Sequence, residues 1–159
     1  FRLSNQLIYP QSQKEIIMEL KINIVAVLVA VVVNFILGFV WYAALFAKTW
    51  GKEMGYDPNM RPDKKTMLKG MAQMIVGNFL FAWVLAFYLA SWQYIPGAKE
   101  MSSISTGLNS AISVWLGFYV PVHLSRIVWE KHSWKLFSIN SGYHLVATAV
   151  VAVILSYWT

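Results

Sequence analysis

The sequence predicts an all-α integral membrane bundle of four transmembrane helices with both termini outside, and three observations carry that prediction. Charge is scarce: of 159 residues, 13 are Lys or Arg and 7 are Asp or Glu, about half of what a soluble domain of this size carries. Charge is also segregated, because four runs, 22–47, 70–98, 101–125 and 136–159, contain none. Each run exceeds the roughly 20 apolar residues that a helix needs to cross a bilayer core. Finally, the basic residues crowd into the loops after the first and third runs, the asymmetry that cytoplasmic loops show. This composition excludes a soluble enzyme, a secreted disulfide scaffold, a disordered chain and a nucleic-acid-binding domain. The chain has no cysteine, which removes disulfides, thiolate metal sites, cysteine nucleophiles and covalent haem attachment. Its net charge of +6 reports topology before it reports an acidic partner.

Residues 1–17 read as a leader that is non-native or disordered, since Met18 precedes the polar lead Glu19–Lys21 into the first run. A single domain then covers 18–159. The Ala/Val-rich first span is expected over about 22–46. It is followed by a basic loop holding Lys48, Lys52, Arg61, Lys64, Lys65 and Lys69. Gly51, Gly55, Pro58 and Pro62 argue against one long helix there, and Trp50, Met54 and Tyr56 suit a membrane surface. The second span, about 68–92, ends at Pro96-Gly97. The third, about 106–127, carries Pro121, which predicts a kink. The fourth runs over about 136–157. Arg126, Lys131 and Lys135 flank the third loop, while the second loop holds Lys99, so the first and third loops face inward. Trp50, Trp129 and Trp134 then fall at the inner interface, and Trp92, Tyr94, Tyr157 and Trp158 at the outer one. Trp41, Trp83 and Trp115 lie deeper and are expected to pack between helices.

Helices in lipid associate through small residues that allow close backbone approach and through interhelical hydrogen bonds. Residues four apart stay close to one helical face, and each span has such a stripe. The first is Ala26, Ala30, Asn34 and Gly38; the second Asn78, Ala82, Ala86 and Ala90; the third Ser113, Gly117, Pro121 and Ser125; the fourth Asn140, His144, Thr148, Ala152 and Ser156. These are the expected packing faces. A weak echo at an offset of 79, Leu37-Gly38-Phe39 against Leu116-Gly117-Phe118, raises the idea of two parallel hairpins.

Ionisable groups inside spans are functional candidates by default, and here they are His123 and His144. With Asn34, Gln73, Asn78 and Asn140 they form a candidate polar cluster. The first meaning of these groups is hydrogen bonding between helices. The second is the lining of a proton or ion path, since histidine titrates near neutral pH. Haem or metal ligation is not expected: two histidines without an intramembrane carboxylate or thiolate leave a ligand set short. His123 also stands about 200° around the helix from the Pro121 stripe. No catalytic constellation or phosphate-binding loop emerges, so the chain is not expected to be an enzyme.

Gly38, Trp41 and Tyr42, followed by Leu45-Phe46-Ala47-Lys48-Thr49-Trp50, resemble the N-terminal signature of a bacterial membrane family catalogued as domain of unknown function 1761. The stretch Asn140-Ser141-Gly142-Tyr143-His144 is similar to the region that opens that family's last span. The resemblance extends from Glu19 to Trp158. Ala43-Ala44 and Ala47 depart from the family's usual Ser-Pro and Gly. It implies a small multi-span membrane protein, and brings no activity, ligand or catalytic residue. The expected role is therefore a structural, accessory or interaction protein of a bacterial cytoplasmic membrane. Its partners would be lipid and a second copy or another membrane protein, with no cofactor. The alternative is a small-solute, ion or proton transporter or channel with its polar cluster in the cytoplasmic half.

Overall fold

The computed structural model describes residues 21–57, 62–92, 94–97 and 100–158. The expected leader, 1–17, lies outside them. All regular structure among the described residues is helical, and it begins where local chemistry can satisfy free backbone N–H groups. Asn23 Oδ1 accepts from the Val25 and Ala26 amides at the start of α1 (Ile24–Phe39). A π-helical stretch, Val40–Leu45, continues α1 and is followed by the short α2 (Ala47–Glu53). Asp63 caps α3 (Lys64–Trp92): its Oδ1 accepts from the Thr66 amide at 2.9 Å and its Oδ2 from the Thr66 hydroxyl at 2.7 Å. Ser102 caps α4 (Ser103–Val114), which passes through a second π-helical stretch, Trp115–Tyr119, into α5 (Val120–Trp129). Ser133 opens α6 (Trp134–Ser156) and also donates to Glu53 Oε2 at 2.5 Å, tying α2 to the start of α6.

Four continuous helical segments, Ile24–Leu45, Lys64–Trp92, Ser103–Trp129 and Trp134–Ser156, are long and apolar enough to cross a membrane. They match the four predicted spans. The second starts four residues earlier than predicted, because Asp63 supplies a cap inside the basic loop. The predicted kink at Pro121 takes a particular form. Proline has no N–H to give the carbonyl four residues back, and the π-helical stretch falls just ahead of it, where the Val120 amide bonds the Trp115 carbonyl.

α6 is the central helix. It packs against α4, α1 and α3 and also touches α2 and α5. The shared core gathers Ala26, Val27, Ala30 and Val31 of α1 with Ala82, Leu85, Ala86 and Leu89 of α3, Ala111 of α4, and Val151, Ala152 and Leu155 of α6. The small-residue stripes of the first, second and fourth spans thus face the interior. In lipid such faces hold by close packing rather than by a hydrophobic drive.

The third stripe is a correction. Ser113, Gly117, Pro121 and Ser125 are exposed, and nothing lies within 4 Å of where a Gly117 side chain would begin. The face that packs is Gly107, Ser110, Ala111 and His123. A Cβ at Gly107 would stand 2.9 Å from Val153 Cα, so this glycine sets the approach of α4 to α6. Two small-residue faces compete on α4, and spacing alone does not rank them. The internal echo is likewise not a structural equivalence, since Gly38 is buried against the Tyr143 hydroxyl while Gly117 faces out. Trp41 and Trp115 pack inward as expected, but Trp83 is 41% exposed.

Candidate functional site

The structure divides the six residues of the predicted polar cluster among three places. Gln73 lies on an exposed face of α3, apart from the others. Asn140 sits near the start of α6 and anchors an aromatic cluster. Asn34, Asn78 and His144 line one cavity, and His123 stands behind His144.

The Asn140 cluster is built from the motif residues of the first span. Tyr42 Oη and Trp50 Nε1 both donate to Asn140 Oδ1 at 3.2 Å, while Trp41 Nε1 donates to the neighbouring Ile139 carbonyl at 3.1 Å. The rings pack as they bond: Trp41 against Phe46 and Tyr143, Tyr42 against Trp50 and Tyr143, and Trp50 against Tyr56. Trp50, expected at the inner interface, directs its indole N–H to Asn140. Gly38 admits the Tyr143 hydroxyl, which would lie 3.0 Å from a Cβ there. Lys48 is exposed and outside the cluster.

Half-way along the four spans lies the cavity, of about 210 Å³, lined by Asn34, Gly77, Asn78, Phe81, Tyr119, Tyr143, His144, Ala147 and Thr148. A directed chain of hydrogen bonds leads to it. Tyr143 Oη donates to Asn34 Oδ1 at 3.4 Å, and Asn34 Nδ2 donates to Asn78 Oδ1 at 3.0 Å. Asn78 Nδ2 is buried and has no partner among the described residues. The Ser110 hydroxyl shares that condition but is not part of the lining. An unpaired amide donor in a nearly water-free interior is costly, and here it belongs to a residue of the cavity wall.

The opposite wall is aromatic. Tyr119 stacks on His144 with ring centroids 4.1 Å apart, Phe81 meets Tyr119 edge-on at 6.3 Å, and Tyr143 meets His144 edge-on at 5.2 Å. His123 completes the stack, its ring 5.1 Å from that of His144, and it is 6% exposed. His123 therefore faces inward and Pro121 outward, which resolves the 200° separation predicted between them. Thr148 spends its hydroxyl on the His144 carbonyl at 2.6 Å.

Two neighbouring imidazoles are a partial metal ligand set, but among the described residues no group of three His, Cys, Asp or Glu comes together. Tyr119 and Phe81 lie outside the polar cluster that the sequence predicts. Tyr119 stands four residues before His123, a polar pair on one helical face within a charge-free run, and that pair was the available signal. Phe81 carried none, being one apolar residue among many.

No curated protein and no solved structure matches the chain. A family model described as Protein of unknown function (DUF1761) matches residues 25–156. That span holds all of the four candidate membrane helices except Ile24, the Trp41, Tyr42, Trp50 and Tyr143 cluster and the whole cavity lining. The chain is a member of the DUF1761 family.

Proposed function

We propose that this protein is a membrane-embedded binding protein or carrier for a small polar solute, with the cavity between α1, α3, α4–α5 and α6 as its site. The observation that carries the reading is a cavity at mid-length of all four spans whose lining includes Asn34, Asn78, Tyr119 and His144, with the Asn78 Nδ2 buried and without a partner among the described residues. Packing alone leaves this feature unexplained, because a helix seam built for stability pairs its buried donors or replaces them with apolar groups. A volume of about 210 Å³ has room for about seven waters at roughly 30 Å³ each, or for a solute of about that many non-hydrogen atoms. The chain is read as resident in a bacterial cytoplasmic membrane with both termini outside, following the Lys/Arg bias of its loops. No chemical conversion is assigned to it.

The test is thermal unfolding of the detergent-purified protein against a panel of three- to five-carbon amides, alcohols and carboxylates. At least one solute is expected to raise Tm in the wild type and to have no effect on Asn78→Leu. A panel that leaves the wild type unmoved, or that stabilises both proteins equally, contradicts the reading.

A further inference from the structure

We infer that the solute is a small monocarboxylate, taken up together with one proton that the His144–His123 pair holds. This rests on the cavity being a solute site. The polar atoms that the lining leaves available set the ligand's chemistry. Asn78 Nδ2 is a donor without a partner. The Asn34 oxygen accepts from Tyr143, the Asn78 oxygen accepts from Asn34, and the Thr148 hydroxyl donates to the His144 carbonyl. The Tyr119 hydroxyl can donate, and the His144 imidazole can donate from both nitrogens once protonated. None of the lining residues is Asp or Glu. The cavity therefore offers donors and, with no carboxylate in its lining, lacks the fixed negative charge that would hold a cation.

Charge balance supplies the proton. A carboxylate alone in a low-dielectric interior carries a heavy desolvation cost, and so does an imidazolium alone. Brought together they form a neutral pair with charge-assisted hydrogen bonds. No covalent bond of the solute changes: one proton moves from water to an imidazole nitrogen of the pair, and the solute enters as its anion, so the occupied cavity is neutral.

The surroundings of the pair are uncharged except at one end. From α6 and the π-helical stretch before α5, Tyr143 and Tyr119 face His144, and α1 and α3 contribute the amides of Asn34 and Asn78. At the far end of α5, Arg126 and His132 approach Glu130, at 3.7 and 3.3 Å. His123 lies one turn from Arg126 on the same helix. The fixed charge nearest the pair is therefore the Arg126 guanidinium, which is paired with Glu130.

Butyrate and its uncharged isostere butyramide, each with six non-hydrogen atoms, separate this inference from the reading beneath it. Each is titrated into detergent-solubilised wild type and His144→Gln in weakly buffered solution, with protein-free micelles subtracted. Butyrate is expected to bind the wild type with uptake of about one proton per site. Its affinity should weaken about tenfold for each unit that pH rises above the titration of the pair. His144→Gln should lose butyrate and keep butyramide, which also shows that the variant is folded. Should that variant not fold, proton uptake and the pH slope of the wild type decide alone. Binding of butyramide with no proton-linked butyrate binding overturns the carboxylate inference and leaves the solute site standing. Binding of neither overturns both.

Discussion

Two asparagines, Asn140 and Asn78, both accept through their side-chain oxygen and differ in what surrounds them. The Asn140 oxygen takes two donors, Tyr42 Oη and Trp50 Nε1, inside a set of packed aromatic rings. Asn78 has its oxygen satisfied by Asn34 and its amide nitrogen left over at a cavity. The first arrangement clamps α2 and the end of the first span to α6. The second keeps polar capacity in reserve. A buried polar group in a membrane helix is thus not one kind of object: its surroundings, packed rings at Asn140 and a cavity at Asn78, separate a structural asparagine from a binding one.

The comparison breaks first if the scaffold common to both regions is disturbed. Gly107→Val forces a side chain against the Val153 backbone, which has no way to yield. A loss of about 3 kcal/mol or failure to fold is expected, read as SDS-induced unfolding in mixed micelles. Gly117→Val, on the exposed face, should be within about 0.5 kcal/mol of wild type. Equal effects of the two would return the third span's packing face to the Gly117 stripe.

Asn140→Leu comes next. It strands the Tyr42 hydroxyl and the Trp50 indole N–H, for an expected loss of about 2 kcal/mol in the same assay. Trp50→Phe removes one of those donors and keeps most of the ring packing, so about 1 kcal/mol is expected. The double variant should lose less than the sum, because the two residues share one bond.

The smallest effect lies outside both regions. Two hydrogen bonds from Thr66, the side-chain one foremost, hold the Asp63 carboxyl below its ordinary value. A lowered folded pKa means that the cap is fully present above the unfolded carboxylate value of about 3.9. It is lost as pH falls through the folded value. Helicity at the start of α3 should fray in that acid window, with no change at neutral pH, as followed by amide exchange of Thr66 and Met67. Asp63→Asn should remove that pH dependence.

Much of this architecture was legible in the sequence because membranes impose long, charge-free runs, and these locate the spans within a few residues. Small residues four apart located the packing faces of three spans. The third span resisted for a physical reason. A π-helical stretch bonds five residues back instead of four, so a face followed straight through Trp115–Tyr119 loses its phase. Gly107-x-x-x-Ala111 competed with Ser113-x-x-x-Gly117, and only the contact with Val153 decides between them. Among the polar candidates, residue type identified Asn34, Asn78 and His144 as a group. It could not show that Asn140 belongs with Trp50 or that Gln73 faces outward, since both depend on how the helices are rotated. The free donor on Asn78 is a property of the assembled bundle and has no sequence signal.

The most direct measurement sets Asn78→Leu beside Asn140→Leu with two readouts, SDS unfolding for stability and butyramide and butyrate binding per folded molecule. The account predicts that Asn140→Leu loses about 2 kcal/mol of stability and binds as wild type does once folded. Asn78→Leu should lose about 1 kcal/mol, because it strands one buried donor, Asn34 Nδ2, while removing its own unpaired one, and should bind neither solute. An Asn78→Leu protein that loses as much stability as Asn140→Leu, or that still binds either solute at wild-type affinity, would contradict it.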